Sequence, residues 1–217
     1  MEEGYGSTRW AQRARGVSVA LHFYEHCGKE GAARVCDSQL RLLEAQRVLE
    51  RETAAAEHKA AAQTSASAPA SAPASASVSA SAPRFRFVDL PLNATVLRCF
   101  SCGLSEQAEA LRVEFRVPEK RWWRLKLAGL SQAHAWEELW RFSQARRAPI
   151  SLRLFAEACI EHDAPAEAER YVRRLPPAEA VPLLLRIGAV DGARRLAAAN
   201  KEKMPELLKL VAEHERG

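Results

Sequence analysis

The sequence predicts an all-α protein, an irregular α-solenoid of stacked antiparallel helix pairs, on three observations. A small or polar residue is followed five positions later by alanine at turns between amphipathic stretches, from Gly28 to Ala33, Gly103 to Ala108, Asp163 to Ala168 and Gly188 to Ala193, with a degenerate copy from His134 to Leu139. The last four of these turns begin at 103, 134, 163 and 188, so they are spaced by 31, 29 and 25 residues. That is the length of a helix pair, and one pair cannot bury its apolar face until a neighbour stacks on it. Alanine, leucine, arginine and glutamate dominate while β-branched residues are sparse, which favours helix over sheet.

Ser7 to Cys27 reads as the first helix, with Trp10, Val17, Leu21 and Tyr24 at helical spacing and Gly28 as the stop. A long helix follows from about Lys29 to Ala62, its apolar positions Val35, Leu40, Leu43 and Val48 flanked by charge, so that it offers one side inward and one outward. These residues, 1–63, form an N-terminal hairpin. Residues 64–84 are almost purely Ala, Ser and Pro and cannot bury enough surface to offset the entropy of ordering, which predicts a disordered linker. The remainder, 85–217, is the solenoid proper.

Phe85 to Leu90 reads as a short extended lead-in, and Pro91 begins the next helix, which Gly103 ends. Its partner runs from Ser105 to about Phe115. Pro118 opens a helix carrying Trp122, Trp123, Leu127 and Leu130, answered from about His134 to Ala145 by one carrying Trp136, Leu139, Trp140 and Phe142. A third pair spans about Ser151 to His162 and Pro165 to Arg174. A fourth spans about Ala178 to Ile187 and Asp191 to Ala199, with Pro182 expected to kink or shorten its first member. A last helix, about Pro205 to Glu215, with Leu207, Leu208 and Val211 inward, caps the array.

The bulk numbers narrow the function classes. With 47% hydrophobic and 27% charged residues in 217, the chain has the composition of a folded protein. Its net charge of +5 comes from 32 basic against 27 acidic residues spread along the same helices, a balance that suits an acidic protein partner as well as nucleic acid. The N-terminus lacks the basic-then-apolar order of a secretory signal, and no apolar run is long enough to cross a bilayer. The expected location is cytoplasmic, with membranes reached through partners. Five cysteines at irregular spacing do not make a disulfide framework.

Cys99 and Cys102 have the spacing of half a zinc or redox site, but there is no second such pair, and His22 and His26 lie far upstream; core and turn roles are expected instead. Cys159 and His162, one turn apart, read as a buried thiol and a helix-end histidine. The four tryptophans between 122 and 140, set among arginines, suggest a stacking platform for RNA, yet steps of three and four place most rings on core stripes. An RNA-reading helical repeat remains the rival function, although such repeats hold a near-constant period. No phosphate-binding glycine loop, nucleophile–base order or isolated carboxylate pair is present, so the chain is read as a non-enzyme that needs no cofactor and no metal.

One stretch carries a family likeness. Phe115-Arg116-Val117-Pro118-Glu119-Lys120-Arg121-Trp122-Trp123, followed by Trp136-Glu137-Glu138-Leu139 and Phe142-Ser143, resembles the C-terminal region of vacuolar protein sorting-associated protein 16, whose members carry a Phe-Arg-Ile-Pro-Asp-Lys-Arg element, a tryptophan-rich helix start and a Trp-Glu-Glu-Leu turn in that order. The likeness extends through Gln39 to Leu43, Phe87 to Leu90 and Thr95-Val96 upstream and Ala148-Pro149-Ile150, Phe155, Glu157 and Cys159 downstream. Arg124 departs from it, standing where the family often has an aromatic. The β-propeller of full-length members has no counterpart here, so the resemblance implies a fragment, a shortened gene model or a truncated paralogue.

What the resemblance implies is a subunit of the HOPS and CORVET tethering complexes, peripheral on late endosomes and vacuoles or lysosomes, whose helical C-terminal segment recruits an SM-type fusion regulator of the vacuolar protein sorting 33 class beside other tethering subunits. A shorter paralogue pairing with another SM protein is the alternative within that family. By position, the family's partner-facing surface maps to Val35, Cys36 and Gln39 on the long helix and to Lys120 and Arg121. No nucleic acid is expected as partner, and membrane contact comes only through partners. Arg121 leads this set, because a planar guanidinium makes two parallel bonds to a carboxylate and arginine is enriched among interface hot spots.

Overall fold

The five repeated turns share one backbone geometry. Gly28, Gly103, His134, Asp163 and Gly188 all adopt the left-handed conformation, with φ of 64°, 74°, 53°, 54° and 75°. In each, the next residue donates its N–H back to the carbonyl five positions earlier, at 2.8–3.0 Å, while its own carbonyl accepts from the residue four positions on. This is a Schellman closure fused to the start of the next helix. A Cβ on Gly28, Gly103 or Gly188 would meet nothing within 4 Å, so glycine is there for its φ and not for space. Aspartate and histidine tolerate the same region, which is how 163 and 134 keep the turn without glycine.

The computed structural model describes residues 3–66, 87–145 and 148–216, with side chains described at 9–55, 87–145 and 148–216. These residues hold eleven helices in two compact units, Met1–Arg116 and Val117–Gly217. The linker expected at 64–84 lies, from residue 67 on, outside the described residues.

The first unit contains α1 (Glu3–His26), α2 (Glu30–Ala66), α3 (Leu92–Ser101) and α4 (Ser105–Glu114). Trp10 joins α1 to α2: its indole N–H donates to the Leu43 carbonyl at 2.9 Å, and Arg47 lies over the ring at 4.1 Å. The inward face of α2 is Leu43, Gln46, Leu49 and Thr53, whereas Val48 is half exposed and Val35 is 61% exposed. The lead-in to α3 is a turn and not an extended strand. Leu90 N–H bonds to the Phe87 carbonyl at 3.2 Å and Asp89 takes φ 76°, because the Glu50 carboxylate accepts the backbone N–H groups of both Phe87 and Val88 at 3.0 Å and draws the chain onto α2. Gln46 adds a second tie, donating to the Leu90 carbonyl at 2.7 Å and to Thr95 Oγ1 at 2.8 Å.

The second unit contains α5 (Glu119–Gln132), α6 (Trp136–Ser143), α7 (Leu152–Glu161), α8 (Pro165–Val172), α9 (Pro177–Arg186), α10 (Val190–Ala199) and α11 (Glu206–His214). The pairs α5/α6, α7/α8 and α9/α10 stack in sequence, α5 on α7 and α7 on α9, and α11 closes the array against α9 and α10. Rings link the first two pairs: Trp123 stacks on Phe142 at 4.0 Å, Phe142 meets Phe155 at 6.0 Å, and Phe155 stacks on Tyr171 at 5.6 Å. Pro118 and Pro91 stand one residue before their helices, as N-caps. Ser151 caps α7 by accepting the Arg153 N–H. Pro182 does not shorten α9, which continues to Arg186; the proline replaces only the one N–H that would have bonded Ala178.

Candidate partner-binding surface

Val35 and Gln39 are one helical turn apart on the outward side of α2, both exposed, with Cys36 half-buried beside them. An exposed valine at 61% has no core role to explain it. The patch is framed by two exposed pairs on the same helix, Arg34 with Glu30 at 3.4 Å and Arg41 with Asp37. Pairs of that kind contribute little to stability, about 0.3–0.5 kcal/mol each.

Lys120 and Arg121 occupy the first turn of α5, in the second unit. Both are exposed and neither forms an ion pair among the described residues. Their position opposes their charge. The start of a helix carries partial positive charge, so each cation there is disfavoured by about 0.3–1 kcal/mol; Pro118 supplies no side-chain cap, and Glu119 in the same turn offsets only part of the cost.

The tryptophans are mostly committed inward. Trp122 is 1% exposed, Trp123 is buried with one face on Phe142, and Trp140 is half-buried with Arg170 over it at 4.4 Å. Arg170 is in turn held by Glu167 at 2.7 Å and Glu137 at 3.7 Å. No open stacking platform is left by these three rings.

Cys99 is fully buried in α3, and burial first, then the neighbouring Cys102, pushes its thiol up to about 12; burial does the same to Cys159. Cys102 is the half-buried C-cap of α3. Among the described residues no group of three or more His, Cys, Asp or Glu is placed to hold a metal ion. His162 faces His134, ring to ring at 5.9 Å. The raised thiol values set a stability trend. Below 9.0 both states keep the protons, whereas between 9.0 and about 12 the unfolded chain ionises Cys99 and Cys159 and the folded chain does not, so stability is lost as pH rises through that window. Urea unfolding across pH 8–11 is expected to show this loss, and Cys99→Ala combined with Cys159→Ala to reduce it, leaving the part above 10.0 that buried Tyr171, its phenol likewise pushed up by burial, contributes.

Residues 82–217 match the family model described as Vps16, C-terminal region. The chain belongs to this family. Among its relatives, the vacuolar protein sorting-associated protein 16 homolog of Dictyostelium discoideum is 32% identical over 127 residues, covering 58% of this chain and 15% of that protein. Protein VACUOLELESS1 of Arabidopsis thaliana is 39% identical over 89 residues, 41% of this chain and 10% of that protein, and the Drosophila melanogaster homolog of protein 16 is 35% identical over 85 residues, 39% and 10%. The chain therefore spans only a small part of the length of these relatives. The candidate residues Lys120 and Arg121 and all five turns but the first fall inside the family match, while Val35, Cys36 and Gln39 precede it.

Two residues with evident structural weight carried no signal in the sequence. Gln46 and Glu50 bind partners 37 to 49 positions away, across the Ala/Ser/Pro stretch. Arg116 stands in the family-like motif, but its left-handed backbone, φ 48°, is not something an arginine advertises.

Proposed function

We propose that this chain acts in vacuolar protein sorting as the helical interaction module of a HOPS/CORVET-type tethering subunit, and that it recruits an SM-type fusion regulator of the vacuolar protein sorting 33 class. The observation that supports this reading is the exposed Lys120–Arg121 pair at a helix start that disfavours cations, with neither side chain in an ion pair among the described residues. Local charge rules are broken chiefly where another molecule supplies the compensation. The α2 residues Val35, Cys36 and Gln39 add an apolar and hydrogen-bonding contact to the same partner. The module positions its partner and turns nothing over. Among the described residues no helix is long and apolar enough to cross a membrane, and on this reading the chain reaches late endosomes and vacuoles through its partners.

Arg121→Glu tests the reading with opposite effects on binding and fold. A glutamate in the first turn of α5 favours the helix by about 0.3–1 kcal/mol, so thermal unfolding stays level or rises slightly. Capture of the SM-type protein by the purified chain is expected to weaken about 30-fold or more, the scale of an arginine hot spot. Unchanged capture by a folded Arg121→Glu chain defeats the assignment.

A further inference from the structure

The end of α4 uses an arginine where the repeated turns of the chain use glycine, aspartate or histidine. Arg116 lies at φ 48°, a region where a Cβ crowds the following carbonyl and which long side chains avoid. Glycine would make this turn without strain, as it does at Gly28, Gly103 and Gly188. The turn therefore presents a long cationic side chain at a cost in backbone strain, and strain of this kind gathers at ligand-holding positions. Arg116 is exposed and forms no ion pair among the described residues. It lines an open cleft of about 390 Å³ with Ser38, Arg41, Glu114 and Phe115. Ser38 is one helical turn beyond Val35 and adjoins Gln39, so the cleft continues the outward face of α2.

We propose that this cleft receives a carboxylate side chain from an acidic segment of the protein partner, with Arg116 as its principal ligand; the inference rests on the docking function proposed above. The charged lining residues are Arg41, Arg116 and Glu114, of which Arg116 and Glu114 are the unpaired ones among the described residues. Arg41 is already engaged by Asp37, which leaves the Arg116 guanidinium as the free fork for a bidentate bond. Half-buried Phe115 offers an apolar wall for the methylenes of the incoming side chain. Glu114, also without an ion pair among the described residues, stands on the rim and repels an acidic occupant.

The sign of the charge effects decides the matter. With the full chain and the purified SM-type protein in titration calorimetry, Arg116→Gly is expected to keep or raise the thermal midpoint, because it relieves the turn, while affinity falls about tenfold or more. Glu114→Gln is expected to tighten binding by about threefold. Wild-type affinity in Arg116→Gly alongside loss in Arg121→Glu overturns the cleft and leaves the docking function standing. Weaker binding by Glu114→Gln overturns the acidic occupant. No binding by the wild-type chain overturns both readings together.

Discussion

Phe155→Ala is expected to lower the stability of the second unit by about 3–5 kcal/mol, the range for truncating a buried aromatic. Phe155 is fully buried in α7, and its ring lies between Phe142 of α6 at 6.0 Å and Tyr171 of α8 at 5.6 Å. Removing it leaves a void that neither flanking ring can close without giving up its own partner, Trp123 for Phe142 and Trp140 for Tyr171. A domain's whole stability is about 5–15 kcal/mol, so one such change consumes a large fraction of it. Guanidinium unfolding followed by tryptophan fluorescence reads it well, since Trp122, Trp123, Trp136 and Trp140 all belong to this unit. Phe155→Leu, which refills most of the volume, should recover more than half of the loss. A cost below about 1 kcal/mol for the alanine variant would show that the ring ladder does not organise the stack.

The helical hairpins were legible because their determinants are local. A residue able to take positive φ, closed by hydrogen bonds within six residues and followed five positions on by a small side chain, writes the turn into a short window, and even the degenerate copy at His134 keeps the geometry at φ 53°. Trp123, Leu127 and Leu130 declared their burial in the same way, by helical spacing. What stayed hidden depends on distant partners. The sequence marked Val35 and Leu43 alike as apolar positions of the long helix, but the faces of a long helix are chosen by what packs on them, and α2 turns Gln46 and Thr53 inward while Val35 stays in water. Nothing in the sequence announces that buried Gln46 will hold the Leu90 carbonyl, or that Glu50 will hold two N–H groups of a segment on the far side of the Ala/Ser/Pro stretch. The candidate surface divides along the same line. Lys120, Arg121 and Arg116 all stand in the one family-like motif and are all exposed, but only the backbone angle of Arg116 singled it out from its neighbours.

Ala168→Leu is expected to destabilise the second unit by about 1–3 kcal/mol, the cost of forcing extra methylenes into a filled site. Ala168 has no exposed surface and stands at the first turn of α8, where that helix crosses back over α7 just after the Asp163 turn. The same position in the α5/α6 pair is Leu139, also fully buried. The difference lies in how near the two helices come: α7 and α8 run in close contact over their length, while α5 and α6 approach less closely and leave room for a leucine. The alanine at the fifth position is therefore a packing requirement set by each hairpin's separation, and not a requirement of the turn itself, which His134 makes equally well ahead of a leucine. Ala166→Leu is the matched control, exposed on the same helix turn, where helix propensity is nearly unchanged and the effect should stay within about 0.5 kcal/mol. Chemical denaturation of both variants separates the two causes. Equal midpoints for Ala168→Leu and Ala166→Leu would mean that the hairpin yields to a larger side chain, and that alanine at this place in the repeat is not fixed by the approach of the helices.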